Sequence, residues 1–113
     1  MNGHTKRTSR GILGLLLCAA FGVLALPGKA QTGGAALYKS RCAACHGADG
    51  KGDTAAGKTN KIRDLGTADV QAQSDDELAG IIGNGKGKMP AYGKSLKPEQ
   101  IKDLVAYIRT LKQ

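Results

Sequence analysis

Two thiols three residues apart, Cys42 and Cys45, are followed directly by an imidazole in the run Cys42-Ala-Ala-Cys45-His46. Thiols at this spacing can add to the two vinyl groups of one haem, and the adjoining imidazole then reaches the iron from below. Three other chemistries use the same residue types. A structural zinc site wants four soft ligands and usually a second Cys or His pair, and the chain has no second pair. A thioredoxin-like dithiol belongs to a βαβ setting, which this helix-and-loop sequence lacks. Nucleophilic catalysis needs His46 as a free base, whereas on iron one ring nitrogen is occupied and the other donates to a backbone carbonyl.

The partners available to His46 depend on maturation. Lys6, Arg7 and Arg10 precede an uncharged apolar run from Gly11 to Leu26, and Pro27-Gly28-Lys29-Ala30 puts small residues where a signal peptidase reads. This predicts a secretory signal over residues 1–30, cleaved after Ala30, and one domain over residues 31–113. The alternative is an uncleaved anchor, but a run that includes Gly14 and Gly22 falls short of the ~20 apolar residues that span a bilayer. Cys18 follows the bulky Leu17, not the small residue of a lipid-modified cysteine, and reads as apolar filler that leaves with the signal. The mature chain is expected in the periplasm, without stable membrane insertion.

Cleavage removes Met1 and His4, so His46 is the only histidine left and Met89 the only methionine. A low-spin haem needs two strong axial ligands, and one imidazole and one thioether are on offer, far enough apart in sequence to lie on opposite faces of the ring. Lys86 and Lys88 are substitutes, but an ammonium must first lose its proton. Met89 sits in Gly85-Lys86-Gly87-Lys88-Met89-Pro90-Ala91-Tyr92-Gly93. Pro90 fixes its own φ and pushes Met89 towards an extended conformation, the kind of rigid loop that holds a side chain against a metal. The Gly-Lys composition invites comparison with a phosphate loop, but the spacing is wrong and no strand precedes it.

Loss of Lys6, Arg7, Arg10 and Lys29 lowers the net charge from +8 to +4. Nucleic-acid binding wants a denser basic stripe with interleaved aromatics, and only Tyr38, Tyr92 and Tyr107 remain to stack. A small domain with three aromatics and no Trp is also short of core and normally needs a staple. A disulfide cannot serve if both cysteines are otherwise used. Haem can, because it is a large, flat, mostly apolar body around which short helices pack.

The elements that must position these residues read as all-α. Gln31 to Gly34 is expected as a flexible lead-in and Ala35 to Cys42 as a short helix, with Leu37 and Tyr38 on the face next to the cysteines and the small Gly34 and Ala35 permitting a close crossing. Gly47 to Asp53 is a glycine-dense turn where backbone can pass near a cofactor; it lacks the spacing and closing Glu of a calcium loop. Thr54 to Gly66 reads as a polar loop wrapping one side of the cofactor, anchored by Ile62 and Leu65, with Arg63 either paired to a haem propionate or solvated. Ser74-Asp75-Asp76-Glu77 is a capping box, and Leu78, Ile81 and Ile82 give the apolar stripe of a helix that stops at Gly83-Asn84-Gly85. Pro98 opens a final helix with apolar face Ile101, Leu104, Val105, Ile108 and Leu111, whose natural partner is the first helix; Lys97 is a poor cap, so its start is expected to fray.

The order Gly-Ala-Ala-Leu-Tyr, Cys-Ala-Ala-Cys-His-Gly, Gly-Lys-Met-Pro-Ala-Tyr and Asp-Leu-Val-Ala-Tyr-Ile-Arg resembles a class I c-type cytochrome, over essentially all of residues 33–113. The resemblance implies a cytochrome c-like fold, one covalent haem c per chain with thioether bonds from Cys42 and Cys45, axial ligation by His46 and Met89, and crossed first and last helices. Many members place a Pro soon after the motif, whose carbonyl orients the histidine, and Thr54 to Asn60 contains none.

With both axial positions filled the iron has no open site, so the expected function is outer-sphere transfer of one electron by a non-enzymatic, monomeric carrier. Lys86, Lys88 and Lys94 flank the ligand loop and could steer an acidic redox partner. Two alternatives stay open: a haem enzyme or ligand sensor with a labile Met89, and a metal or dithiol module without haem.

Overall fold

A computed structural model describes residues 30–113. The predicted signal lies outside the described residues except for Ala30. Among these residues the chain forms six helices: α1 (Ala30–Arg41), α2 (Ala43–His46), α3 (Ala55–Asn60), α4 (Ala68–Gln71), α5 (Asp75–Asn84) and α6 (Pro98–Thr110). The only ladder contact among them is one isolated antiparallel bridge, Lys86 to Met89. The all-α expectation holds.

The frame is the crossing of α1 and α6. Helix α6 turns Ile101, Leu104, Val105 and Ile108 inward, all buried, with Leu104 only 1% exposed. Its i, i+3, i+4, i+7 spacing makes one apolar stripe, and burying that stripe is what stabilises so short a helix in water. Tyr38 of α1, 2% exposed, answers it, with its ring 4.9 Å from that of Tyr107 at a tilt of 46°. Gly34 makes the approach possible: a Cβ there would lie 2.8 Å from the carbonyl carbon of Asp103 and 3.3 Å from Tyr107 Cβ. This contact explains why Gly33 and Gly34, which local composition suggests as part of a flexible lead-in from Gln31 to Gly34, are helical. Tertiary packing of Gly34 outweighs its low helix propensity.

One further helix departs from expectation and another was not anticipated. Thr54 to Gly66 was predicted as a loop, yet α3 occupies its first half: the Thr54 hydroxyl accepts from Gly57 N–H at 2.8 Å and starts the helix, and Lys61 at φ 52° ends it. Helix α4 is a single turn that buries Val70.

The capping box on α5 is present in both directions, Glu77 N–H donating to Ser74 Oγ at 3.1 Å and Ser74 N–H to Glu77 Oε2 at 2.7 Å. At the start of α6 the Gln100 side chain accepts from Lys97 N–H at 2.9 Å, so the weak cap predicted there is answered from inside the helix. Helix α5 packs against α6 through Leu78 and Ile82. Arg109 of α6 ties that helix to the ends of α4 and α5, donating to the carbonyls of Gln71 and Gln73 and to Asp75 Oδ1.

Candidate functional site

Cys42, Cys45 and His46 sit where α1 runs into α2. The junction is held through its backbone: Cys42 N–H donates to Tyr38 O at 2.9 Å, and Cys42 O accepts from the amides of Cys45 (3.1 Å) and His46 (2.9 Å). The carbonyls that follow are also taken. Cys45 O accepts from the Thr54 hydroxyl at 2.7 Å, His46 O from Gly52 N–H at 2.7 Å, and Gly47 O from the buried Tyr38 hydroxyl at 2.8 Å. Thr54 thus starts α3 and pins the end of the motif with one hydroxyl, and Gly57 lets α3 lie against it, since a Cβ there would be 2.9 Å from Cys45 O.

The glycine-dense segment 47–53 was expected to pass near a cofactor. It serves the protein's own core instead. At Gly50, where φ is 76°, a Cβ would meet Leu111 Cδ1 at 2.7 Å and Leu65 Cβ at 3.4 Å, and none of residues 47–53 lines the cavity described next.

Met89 is presented by a two-residue turn. Lys86 and Met89 exchange both backbone hydrogen bonds, at 3.2 and 3.0 Å. Gly87, at φ 57°, supplies the positive φ that the first central position of such a turn needs. The far end of the loop returns to α5, with Tyr92 N–H donating to Ile82 O at 3.0 Å and Gly93 N–H to Gly83 O at 2.9 Å.

Between these two parts lies a cavity of about 370 Å³ lined by Cys42, Cys45, His46 and Met89 together. Its remaining wall is mostly aliphatic, with Ile62, Leu65, Val70, Leu78, Ile81, Ile82, Leu104 and Ile108 drawn from the 61–65 loop and helices α4 to α6. Ile62 and Leu65 are thus where the sequence put them. Arg63 also lines the cavity, with its guanidinium paired to Asp69 at 3.1 Å. The lining also carries Arg41, Lys61, Arg63, Lys86 and Lys88 and, among the described residues, no carboxylate.

Burial sets the protonation of the site. It pushes His46 below its usual pKa, so the imidazole is neutral at pH 7 and keeps a lone pair for a metal. Burial, and then the charge of Cys45, push the Cys42 thiol up to about 11. Both cysteines are free. His46 Nδ1 is buried with no hydrogen-bond partner among the described residues. The backbone carbonyl expected to receive its proton is not supplied among the described residues, and Thr54 to Asn60 contains no Pro to offer one.

A neutral imidazole, a thioether and two free thiols facing one apolar cavity fit the chemistry of a covalently bound haem. Among the described residues no group of three or more His, Cys, Asp or Glu side chains is arranged to hold a metal ion by itself, as a structural zinc would need. Two contributors escaped the sequence reading. Thr54 carried a usable signal, a capping residue three positions before Gly57. Tyr92, which lines the cavity and donates its hydroxyl to Arg41 O at 3.1 Å, stood in the sequence only as the end of the Gly-Lys-Met-Pro-Ala-Tyr run, and its contact was not legible because its partner is 51 residues away.

Comparison with known proteins identifies the family. The family described as Cytochrome C oxidase, cbb3-type, subunit III matches residues 29–108. A cytochrome c6 from Nostoc sp. is 41% identical over 75 residues, covering 66% of this chain and 65% of that one, so the chain spans just under two thirds of that relative. The cbb3-type cytochrome c oxidase subunit FixP of Azorhizobium caulinodans is 37% identical over 81 residues, 69% of this chain but 26% of that protein. Among solved structures, the KustC0563 c-type cytochrome superposes with a TM-score of 0.67 at 34% identity, covering 71% of this chain and 98% of that one. The chain belongs to the family that matches it and is a small class I c-type cytochrome, a carrier of covalently bound haem c.

Proposed function

We propose that this protein carries single electrons between redox proteins of an exported compartment, with a haem that Cys42 and Cys45 would bond covalently and whose iron His46 and Met89 would ligate. One observation carries the reading: the three side chains of the 42–46 motif and the distant Met89 line the same cavity. Haem iron supplies the one-electron step when bound, with no bond made or broken in the protein.

The chain's own residues set the conditions for that step. His46 is neutral and held by a backbone whose carbonyls are already hydrogen-bonded. The Met89 thioether and the aliphatic wall favour the reduced state and so raise the potential. The cavity reaches solvent beside the exposed Cys45 and Pro90, which leaves electrons a short way in and out. Lys86, Lys88 and Lys94 are all exposed, and the first two stand on the cavity rim, where they steer an acidic partner at long range. Residues 1–30 act as a cleaved signal that delivers a monomeric carrier to the periplasm.

The test uses protein matured in a periplasm. Haem that survives acid-acetone extraction is covalent, and replacement of either Cys42 or Cys45 by Ala weakens that retention. The reduced parent binds carbon monoxide slowly, and Met89→Ala binds it promptly. Prompt binding by the parent would refute the closed carrier and favour a ligand-binding haem protein with a labile Met89. An unchanged spectrum in Met89→Ala would refute the ligand assignment.

A further inference from the structure

The His46-bearing part and the Met89-bearing loop are separate pieces of chain, and one side chain joins them. Tyr92 stands three residues after Met89 and lines the same cavity. Its hydroxyl donates to Arg41 O at 3.1 Å, the last residue of α1 and the neighbour of Cys42. Among the described residues no other hydrogen bond links the 85–93 loop to residues 30–66.

The backbone of Tyr92 is itself fixed. Its amide donates to Ile82 O at 3.0 Å, and its carbonyl accepts from Leu96 N–H at 2.9 Å and Ser95 N–H at 3.0 Å. Arg41, at the other end, lies next to Cys42, whose amide is tied to Tyr38 O. The phenol therefore spans two rigid supports. The loop residues between Gly85 and Tyr92 have fewer ties: Lys86 and Met89 bond to each other, and Gly85 N–H bonds to Ile81 O at 2.8 Å.

We propose that Tyr92 is a positioning residue that latches the Met89 loop across the haem cavity to the end of α1, and so sets how often Met89 lets go of the iron. The proposal rests on Met89 being the axial ligand. Swinging Met89 away moves the loop outward, and while the Tyr92 hydroxyl holds Arg41 O, that movement has to break the bond. Removing the hydroxyl raises the population of the open loop by the factor one net hydrogen bond carries, about three- to tenfold. A latch of this kind governs access to the iron by outside ligands and leaves the packing of the ring in place.

The experiment uses the haem-loaded full chain, reduced, at saturating carbon monoxide, where the binding rate reports release of the sixth ligand. Three variants are compared with the parent. Tyr92→Phe keeps the ring and loses the hydroxyl; Ser95→Ala removes the Ser95 hydroxyl, which bonds Tyr92 O at 3.3 Å in the same segment without crossing the cavity; Met89→Ala reports the ligand itself. The expected result is a rate about three- to tenfold higher in Tyr92→Phe, no change in Ser95→Ala, and immediate binding in Met89→Ala. A parental rate in Tyr92→Phe alongside immediate binding in Met89→Ala overturns the latch and leaves the ligand assignment standing. Equal acceleration in Tyr92→Phe and Ser95→Ala also overturns it, by showing general loosening of the loop. A Met89→Ala protein that behaves as the parent overturns the ligand assignment, and the latch with it.

Discussion

The α1–α6 crossing can be tested at one atom. Gly34→Ala places a Cβ 2.8 Å from the carbonyl carbon of Asp103 and 3.3 Å from Tyr107 Cβ. The first neighbour is the backbone of α6, not the tip of a flexible side chain, so the helices must separate. Against backbone this close the overpacking cost lies in the upper part of the usual range, ~2–3 kcal/mol, and Ala recovers about 1 kcal/mol through better helix propensity. The net loss is therefore about 1–2 kcal/mol. For a domain of this size each kcal/mol moves the thermal midpoint by ~4–8 °C, which puts the expected fall at about 5–15 °C. Two neighbours serve as controls. At Gly33 the new methyl meets only Asp103 Oδ2 at 3.5 Å, an ordinary contact, and at Gly80 in α5 it meets nothing within 4 Å. Both should gain ~0.5–1 kcal/mol from propensity. The assay is thermal unfolding of haem-loaded protein followed by far-ultraviolet circular dichroism. A Gly34→Ala midpoint equal to or above that of Gly33→Ala would refute the close crossing.

Two other expectations concern stability. Arg109 donates from Nε and Nη2 to Asp75 Oδ1 at 2.9 and 2.7 Å, from Nη1 to Gln71 O at 2.9 Å and from Nη2 to Gln73 O at 2.6 Å. Lysine, a single point of charge, cannot span these acceptors, so Arg109→Lys should lose ~1–3 kcal/mol in urea unfolding; most of that loss comes from the abandoned carbonyls, because Asp75 is 75% exposed and its ion pair is screened. Retention of the parental urea midpoint would contradict this. Glu77 is held below the usual carboxylate pKa, first by the Ser74 amide and then by the Ser74 hydroxyl. Its contribution is thus fully present above the ordinary carboxylate range and is lost as pH falls through the depressed folded value, since the unfolded chain binds the proton more readily. A Glu77→Gln variant should show a shallower fall of stability across that acid range, and an unaltered pH profile would count against the capping role.

Local signals carried much of the fold. The capping box at Ser74 and Glu77, Gly85 as the stop of α5, and the apolar face of α6 were legible because each depends on residues within a turn or two of one another. Helix α3 was missed because Ala55 to Asn60 has no apolar stripe; it is held by the Thr54 cap and by the fit of Gly57 under Cys45 O. The helical state of the predicted lead-in was missed for a similar reason. Gly33 and Gly34 argue against helix by propensity, and only the contact with Asp103 and Tyr107 reverses that.

The site divides along the same line. Residue types and counts alone pointed to haem: Cys42, Cys45 and His46 are adjacent, and after the predicted cleavage Met89 is the one thioether left, so the chemistry was legible without coordinates. Spacing in sequence says nothing about which distant surfaces meet. That the four residues line one cavity, that segment 47–53 packs on Leu111 and Leu65 and not on that cavity, and that Tyr92 reaches Arg41 across 51 residues were settled only when α1 crossed α6. Covalent attachment chemistry is local and survives in the string of letters; loop closure and the pairing of remote backbone groups are set by packing, and packing exists only in the folded chain.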